Sequence, residues 1–159
     1  MGGIQKNNSL IMGSILSIDY GLKRIGIAIS DPERIFAFPQ DFIENKNFTF
    51  VASRIKEIVC EREISLIIIG LPHDQRIKSQ ELRAQRQKKP SMQNIILDFA
   101  KKLQKQTEIP IKTIDESFTS FIANENLKEC KVSSKKSRKL IDSEAARLIL
   151  EDFIQQNNH

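Results

Sequence analysis

Two short apolar runs near the start of the chain predict a β-hairpin. Apolar residues concentrate at Ser14–Asp19 and again at Ile25–Ser30, and a polar turn with glycine at Tyr20-Gly21 lies between them. Glycine supplies the backbone freedom of a tight turn, so we expect these two strands to pair antiparallel. A third strand is expected around Phe38–Ile43.

The rest of the chain alternates between helical and strand patterns. Apolar residues three or four positions apart predict helices, whereas an uninterrupted apolar run predicts a further strand. The run Ile64–Gly70 is apolar throughout, which is typical of a parallel strand buried on both faces. The predicted helices are Thr49–Arg62, a second one from Met92 to about Leu103 that Pro90-Ser91 opens, Phe118–Leu127 and Lys135–Ile154; the last predicted strand is Ile109–Ile114.

The resulting order, β-β-β-α-β-α-β-α-α, predicts an α/β fold. An antiparallel hairpin followed by parallel crossovers gives a mixed five-stranded sheet with helices on both faces. We expect residues 14–159 to form one domain. Residues 1–13 are expected to be a flexible N-terminal extension, with Met12 as an alternative start of the chain.

Composition narrows the class of protein. Of 159 residues, 40% are hydrophobic and 28% charged, as in soluble globular proteins. No apolar run approaches the ~18 residues of a membrane span. Cys60 and Cys130 lie far apart, so neither a disulfide framework nor a zinc site is indicated, and a cytoplasmic location is expected.

The balance of charge favours a polyanionic partner. There are 25 Lys and Arg residues against 20 Asp and Glu residues, a formal net charge of +5. Aromatic residues make up only 6% of the chain, which argues against a single-strand binder that relies on stacking bases on many rings. Nucleic acid is therefore a candidate partner that charge alone does not establish.

The first candidate for chemistry is Asp19, which ends the first predicted strand. Strand alternation puts Ile15, Ser17 and Asp19 on one face. An aspartate here can support the turn by bonding to its backbone. The basic pair Lys23-Arg24 follows within the same hairpin tip, so the alternative is a site that handles a charged ligand.

Asp142 falls within the apolar stripe of the last predicted helix. Ala146, Ile149 and Phe153 share its direction, whereas polar residues gather on the opposite side. A buried carboxylate needs a cation, hydrogen-bond donors or a metal. If the helix instead begins near this residue, Asp142 is an N-cap. The polar residues on the opposite side are Ser143, Glu144, Arg147 and Glu151.

A third acidic position is the pair Asp115-Glu116, which ends the last predicted strand. Open α/β sheets bind ligands at the carboxyl ends of their strands, which favours a site here. Acids also stabilise a first helical turn, and Ser117 is a plausible N-cap, so a purely structural role is the alternative. Sequence spacing alone does not show whether the three acidic positions meet.

Four segments together resemble the YqgF family, also called RuvX, the Holliday-junction-resolvase-like proteins of the ribonuclease H superfamily. They are SIDYGLKRIGIAISDP (Ser17–Pro32), IIIGLP (Ile67–Pro72), IDESFTS (Ile114–Ser120) and LIDSEAARLIL (Leu140–Leu150), in the order in which the family has them. The resemblance spans nearly all of the chain after residue 13. The family's fold agrees with the order of elements predicted above.

The resemblance implies a metal-dependent nuclease that processes the 5′ end of precursor 16S ribosomal RNA in ribosome biogenesis, or that cleaves branched DNA. Carried over by motif, the catalytic and metal-binding acids are Asp19, Glu116 and Asp142, with Asp115 as a possible fourth ligand. Oxygen ligands of this kind suit Mg²⁺ or Mn²⁺, and the expected cofactor is two such ions. Ribosomal precursor particles are a further expected partner, and the protein is expected to be a monomer or a homodimer.

Basic residues are expected to hold the nucleic-acid backbone. Lys23 and Arg24 would bind phosphates beside the acids. Two further clusters would extend that surface, and their expected contacts are Arg76, Arg83, Arg86, Lys135, Lys136 and Arg138.

Two departures from the family's pattern keep other functions open. Ser117 stands where family members usually have arginine, and the basic loop 73–90 contains no glycine. A nucleic-acid-binding module of the same fold without nuclease activity is therefore the main alternative. A strand–Asp–x–Gly turn also occurs in actin-like ATP-binding folds, but those enclose the nucleotide with a second large domain for which 159 residues leave no room.

Overall fold

The fold is built on a five-stranded sheet with the strand order β3-β2-β1-β4-β5. A computed structural model describes residues 12–72, 90–115 and 135–158, and within residues 135–142 it describes the backbone alone. The strands are β1 (Ser14–Asp19), β2 (Arg24–Ser30), β3 (Ala37–Glu44), β4 (Ile64–Leu71) and β5 (Ile111–Asp115).

Strand directions are those that the sequence predicts. Strands β1, β2 and β3 pair antiparallel in succession, whereas β4 pairs parallel with both β1 and β5. The mixed sheet with an antiparallel start is thereby confirmed. Strand β4 is buried along almost its whole length, as expected for an uninterrupted apolar run between two parallel neighbours.

Strand β5 begins two residues later than the predicted start at Ile109. The Gln104 side chain explains the difference, because it donates to the Ile109 carbonyl at 3.0 Å and accepts from the Ile111 amide at 3.0 Å. These bonds hold the segment before Ile111 against the preceding helix instead of in the ladder. Pro110 has no amide hydrogen to donate, although its carbonyl accepts from Ile67.

Three helices lie within the described residues: α1 (Phe48–Glu61), α2 (Met92–Gln104) and α3 (Lys135–Asn157). Side chains of Asn47 and Ser91 cap α1 and α2 by accepting hydrogen bonds from Phe50 and Asn94 amides. The Ser91 cap confirms the predicted start of α2. No described helix has the length and apolar character needed to cross a membrane. The predicted helix 118–127 lies outside the described residues.

Helices cover both faces of the sheet, as predicted. Leu16 and Ile18 of β1 pack with α1 and α2, for example against Phe99. Ile15 points to the other face and packs with α3 residues such as Ile149. Each face therefore has its own apolar cluster, with the sheet between them.

The solvent side of α3 differs from its prediction at one residue. Ser143 is buried, and its hydroxyl donates a hydrogen bond to the Gln40 carbonyl of β3. The reason is that α3 packs across both β2 and β3, which covers residues beside its apolar stripe. Arg147 lies on the polar side and pairs with Glu144 and Glu151; hydrogen bonding to Glu144 is the main cause that raises the pKa of its guanidinium.

Candidate active site

Asp19 is the last residue of β1 and lies half-buried at the carboxyl end of the central strand. Alternation along β1 puts its side chain on the same face as those of Ile15 and Ser17. That face is covered by α3, since Ile15 packs in the α3 cluster and the buried Ser17 hydroxyl donates a 2.8 Å hydrogen bond to the Ala146 carbonyl. The Asp19 side chain therefore lies on the α3 face of the sheet.

Helix α3 runs antiparallel to β1. Near its C-terminal end, the Asn158 side chain donates to the Arg34 carbonyl at 3.2 Å, in a turn that also bonds the chain just before β1. Toward its N-terminal end, Ser143 bonds Gln40 of β3. Gln40 pairs with Ile27 of β2, which pairs with Ile18 of β1, so Gln40 lies level with Ile18. The N-terminal half of α3 therefore lies toward the carboxyl end of β1.

This direction fixes where position 142 falls along the helix. Asp142 directly precedes Ser143 and lies one turn before Ala146, the residue that bonds Ser17. Its backbone position is thus at the same end of the sheet as Asp19. The Asp142 side chain lies outside the described part, and its role as a ligand stays a prediction.

Two glycines flank Asp19 in the sheet. Gly26 is its partner in the antiparallel ladder with β2, and the register of the parallel ladder with β4 places Gly70 beside it. Ala28 and Ile68, two residues from these glycines, pack in the α3 cluster, so both glycines lie on the same face as Asp19. The Asp19 carboxylate thus lies between two buried positions that carry no side chain.

Asp115 ends β5 at the same edge of the sheet as Asp19, because β1, β4 and β5 are parallel. Two strand spacings separate them, about 10 Å. Ile114 packs against the α3 cluster, so alternation puts the exposed Asp115 side chain on the opposite face. Glu116, the other acid of the pair, lies outside the described residues.

The hairpin tip between β1 and β2 carries the two predicted phosphate-binding cations. Lys23 is exposed, whereas Arg24 is half-buried with its guanidinium 5.3 Å from the Phe42 ring centroid. Both residues lie at the same end of the sheet as Asp19. Their contact with phosphate stays a prediction.

The tip requires Gly21 for a reason that the sequence does not reveal. Gly21 does not have a positive φ, so a left-handed backbone is not the reason that glycine stands here. A Cβ atom at Gly21 would instead lie 2.3 Å from the Arg24 carbonyl oxygen. Asn45 secures the tip on both sides, because its side-chain amide donates to the Gly21 carbonyl and its backbone amide to the Lys23 carbonyl, each at 2.9 Å.

The other predicted site residues lie outside the part of the chain whose side chains are described. Within the described side chains, no three His, Cys, Asp or Glu residues come close enough together to hold a metal ion. That finding does not extend to Glu116 and Asp142, two of the three predicted ligands. The predicted site residues whose side chains are not described are Glu116, Asp142, Arg76, Arg83, Arg86, Lys135, Lys136 and Arg138.

An aromatic cavity of about 100 Å³ lies beside the same end of β1 on the opposite face. Tyr20 and Phe99 have ring centroids 4.9 Å apart, and Phe48 meets Phe99 edge-on at 6.0 Å. Asn45 and Lys102 are among the polar residues that line the cavity. The sequence, with its low aromatic content, did not indicate this cluster. Its rings come from three separate segments that meet only in the folded chain: the residue after β1, α1 and α2.

Comparisons with known proteins agree with the fold and the motifs. Residues 13–156 match the family model described as "RuvX: Holliday junction resolvase". A relative from Maridesulfovibrio salexigens, named "Putative pre-16S rRNA nuclease", is 36% identical over 140 residues, covering 88% of this chain and 96% of the relative. A relative from Endomicrobium trichonymphae with the same name is 35% identical over 144 residues, covering 90% and 96%.

Among solved structures, the fowlpox virus Holliday junction resolvase is similar to this chain in fold. The TM-score is 0.51 and the sequence identity 17%, and the match covers 92% of this chain and 99% of the viral one. At this identity the likeness bears on the fold alone. It agrees with the ribonuclease H-like architecture of the sheet.

Proposed function

The chain belongs to the RuvX family of Holliday junction resolvases, which makes it a nuclease, and we propose that it depends on divalent metal ions and cleaves phosphodiester bonds beside Asp19. One observation carries this proposal. Asp19 lies half-buried at the end of the central strand, between Gly26 and Gly70. It lies on the sheet face that α3 covers, at the end toward which the N-terminal half of α3 extends.

We propose that Asp19, Glu116 and Asp142 hold the metal ions. All three would offer carboxylate oxygens, which are the ligands that Mg²⁺ and Mn²⁺ prefer. Position 142 lies toward the Asp19 end of α3, and this supports the choice. Asp115 lies on the other face of the sheet, so of the pair Asp115-Glu116 we assign the ligand to Glu116.

The chemistry that two such ions supply when bound is activation of an attacking water and stabilisation of the leaving oxygen in an in-line displacement. The chain itself contributes the placement. Asp19 is fixed because β1 lies between β2 and β4, and the helix that carries Asp142 is fixed against β1 through the Ser17 hydroxyl. Gly26 and Gly70, the flanking positions in the two neighbouring strands, place no side chain of their own beside the Asp19 carboxylate.

Basic residues at the same end would position the substrate. Lys23 and Arg24 are adjacent to Asp19 in the hairpin tip, and contact between Arg24 and Phe42 limits the freedom of its guanidinium. We propose that both bind phosphates next to the one that is cleaved. Such contacts fix the register of a nucleic acid without reading its sequence. Two further groups would extend the path, namely Arg76, Arg83 and Arg86 in one and Lys135, Lys136 and Arg138 in the other.

We propose the 5′ region of precursor 16S ribosomal RNA as the substrate, acted on in the cytoplasm and in precursor particles. Both curated relatives described above carry the name of a pre-16S rRNA nuclease, which supports this choice. The family description favours branched DNA as a second candidate. A monomer suffices for trimming RNA, whereas a homodimer would suit a four-way junction.

The decisive experiment measures cleavage of a precursor 16S fragment and of a four-way DNA junction, with Mg²⁺, with Mn²⁺ and with EDTA. We expect metal-dependent cleavage of the RNA. Asp19→Asn should lower the rate by at least about 100-fold, because removing one preorganised charge at a reacting phosphate costs about that much.

Asp115→Asn is the matched control, since it removes the same charge at the same edge of the sheet but on the other face. Its rate should stay within about two-fold of the unaltered chain, in keeping with the small effect of most surface substitutions. Equal losses in both variants would reassign the ligand to Asp115 or to the pair. Cleavage that survives Asp19→Asn would refute the proposed site.

A further inference from the structure

Leu22 is an exposed apolar residue at the tip of the hairpin that carries Asp19. Its side chain is 62% exposed. Isolated apolar residues are common on protein surfaces and by themselves mean nothing. Leu22 differs from an ordinary surface leucine in its rigidity and in its charged neighbours.

The backbone on both sides of Leu22 is held in place. The carbonyl groups of Gly21 and Lys23 each accept a 2.9 Å hydrogen bond from Asn45. Gly21 packs so closely on Arg24 that no side chain fits there. The backbone that carries Leu22 is therefore held in place, and a contact with a ligand costs little backbone conformational entropy.

The neighbours of Leu22 indicate which part of a nucleic acid it would meet. Asp19 lies three residues before it, and Lys23 and Arg24 follow directly. If the carboxylate and the cations engage the phosphate backbone, the exposed apolar side chain that stands between them in sequence is accessible to the attached bases. Leucine is one of the apolar side chains that proteins insert between base steps.

We propose that Leu22 packs against the face of an unstacked nucleobase next to the phosphodiester that is cleaved. This inference rests on the proposed function, because it takes the reaction to occur beside Asp19. A contact with a base face excludes water from two apolar surfaces and tolerates any base identity. Leu22 is thus a substrate-contacting residue that favours unpaired or distorted nucleic acid over a regular duplex.

The test compares the affinity of Leu22→Ala, Leu22→Met and Ile35→Ala for fluorescent substrates, measured by anisotropy. Ile35 is the matched control, since it is 54% exposed but lies in the turn at the opposite end of the sheet. One substrate is intact, and each of the others carries one abasic nucleotide, placed at successive positions across the cleaved region. Leu22→Ala should weaken binding of the intact substrate about 10-fold, or about 1.4 kcal/mol, whereas Leu22→Met and Ile35→Ala should change it less than two-fold.

The abasic series identifies the contact. At the position that Leu22 touches, the unaltered chain and Leu22→Ala should bind equally, because the base is already gone. A loss that is the same on every abasic substrate, or no loss at all, would overturn the proposal. Since the readout is affinity, it is separate from the cleavage assay: absent cleavage would refute the proposed function while leaving this contact measurable.

Discussion

At the scale of single residues, the carbonyl oxygen of Arg24 limits what can stand at position 21. A Cβ atom there would lie 2.3 Å from that oxygen, and backbone cannot move aside as a flexible side chain can. We therefore expect Gly21→Ala to lower the free energy of unfolding by about 1–3 kcal/mol, the usual cost of forced overpacking. Chemical denaturation with urea measures this change.

Leu22→Ala serves as the control for that experiment because it alters the next residue, whose side chain is exposed. Its free energy of unfolding should stay within about 0.5 kcal/mol of the unaltered chain. A Gly21→Ala protein of normal stability would mean that the tip can adopt another conformation. In that case the rigid presentation of Leu22 would also fail.

A second prediction at this scale concerns Arg34, which has a φ of 59°. Its guanidinium donates to the Gly13 carbonyl at 3.1 Å and to the Ser65 hydroxyl at 2.9 Å, and so links the β2–β3 turn to the starts of β1 and β4. Arg34→Ala should cost about 1–3 kcal/mol because it removes both bonds and keeps the backbone strain.

Arg34→Gly separates these two contributions. It also loses the bonds but relieves the left-handed backbone, so it should be more stable than Arg34→Ala by about 0.5–1 kcal/mol. Denaturation midpoints of the two variants provide the comparison. If Arg34→Ala were the more stable of the two, the positive φ would carry no strain.

At the scale of elements, the local sequence pattern predicts the bounds of strands and helices better than it predicts the contacts between them. Periodicity gives β1 its observed bounds and places the described helices to within a few residues, because apolar spacing is a local property. The late start of β5 depends on Gln104, and the burial of Ser143 depends on where α3 crosses the sheet. Neither follows from local spacing, since each requires a partner distant in sequence.

The candidate site shows the same division. Alternation along β1 predicts the face of Asp19, because it depends on neighbouring residues alone. The flanking glycines come from the registers of two ladders, and register is fixed by the whole sheet. Local spacing therefore does not identify Gly26 and Gly70 as neighbours of Asp19, although both stand in segments that carry the family resemblance.

Those glycines supply a prediction at the scale of the sheet. We expect Gly26→Ala and Gly70→Ala each to weaken Mn²⁺ binding at least 10-fold, because a methyl group would occupy space beside the Asp19 carboxylate. Stability should hold or rise by about 0.5–1 kcal/mol, since alanine is favoured over glycine within strands. Titration calorimetry and thermal unfolding measure the two effects.

The signs of the two effects separate two roles for the glycines. Both positions are buried, so they can also serve close packing of the sheet against what covers it. Close packing predicts that each alanine lowers the melting temperature. Variants that are destabilised but retain full metal affinity would assign the glycines to packing and remove them from the site.

At the scale of the whole molecule, the positive charge has more than one possible reading. A net charge of +5 attracts any polyanion, so weak binding to nucleic acid would not by itself identify a binding surface. A surface that binds the phosphate backbone differs from general charge attraction, because each of its cations neutralises one phosphate and releases the counterions bound there. The slope of log affinity against log salt is proportional to the number of phosphates that are neutralised.

We expect a triple variant that replaces Arg76, Arg83 and Arg86 by Gln to reduce the slope of log affinity against log salt by about 2–3, as the loss of three phosphate contacts requires. The control replaces three exposed lysines, Lys56 in α1, Lys101 in α2 and Lys105 directly after α2, which lowers the net charge equally. Binding titrations at several salt concentrations should leave the slope of the control nearly unchanged. If both triple variants flatten the slope alike, affinity follows total charge, and the predicted basic surface beside Asp19 does not track the backbone.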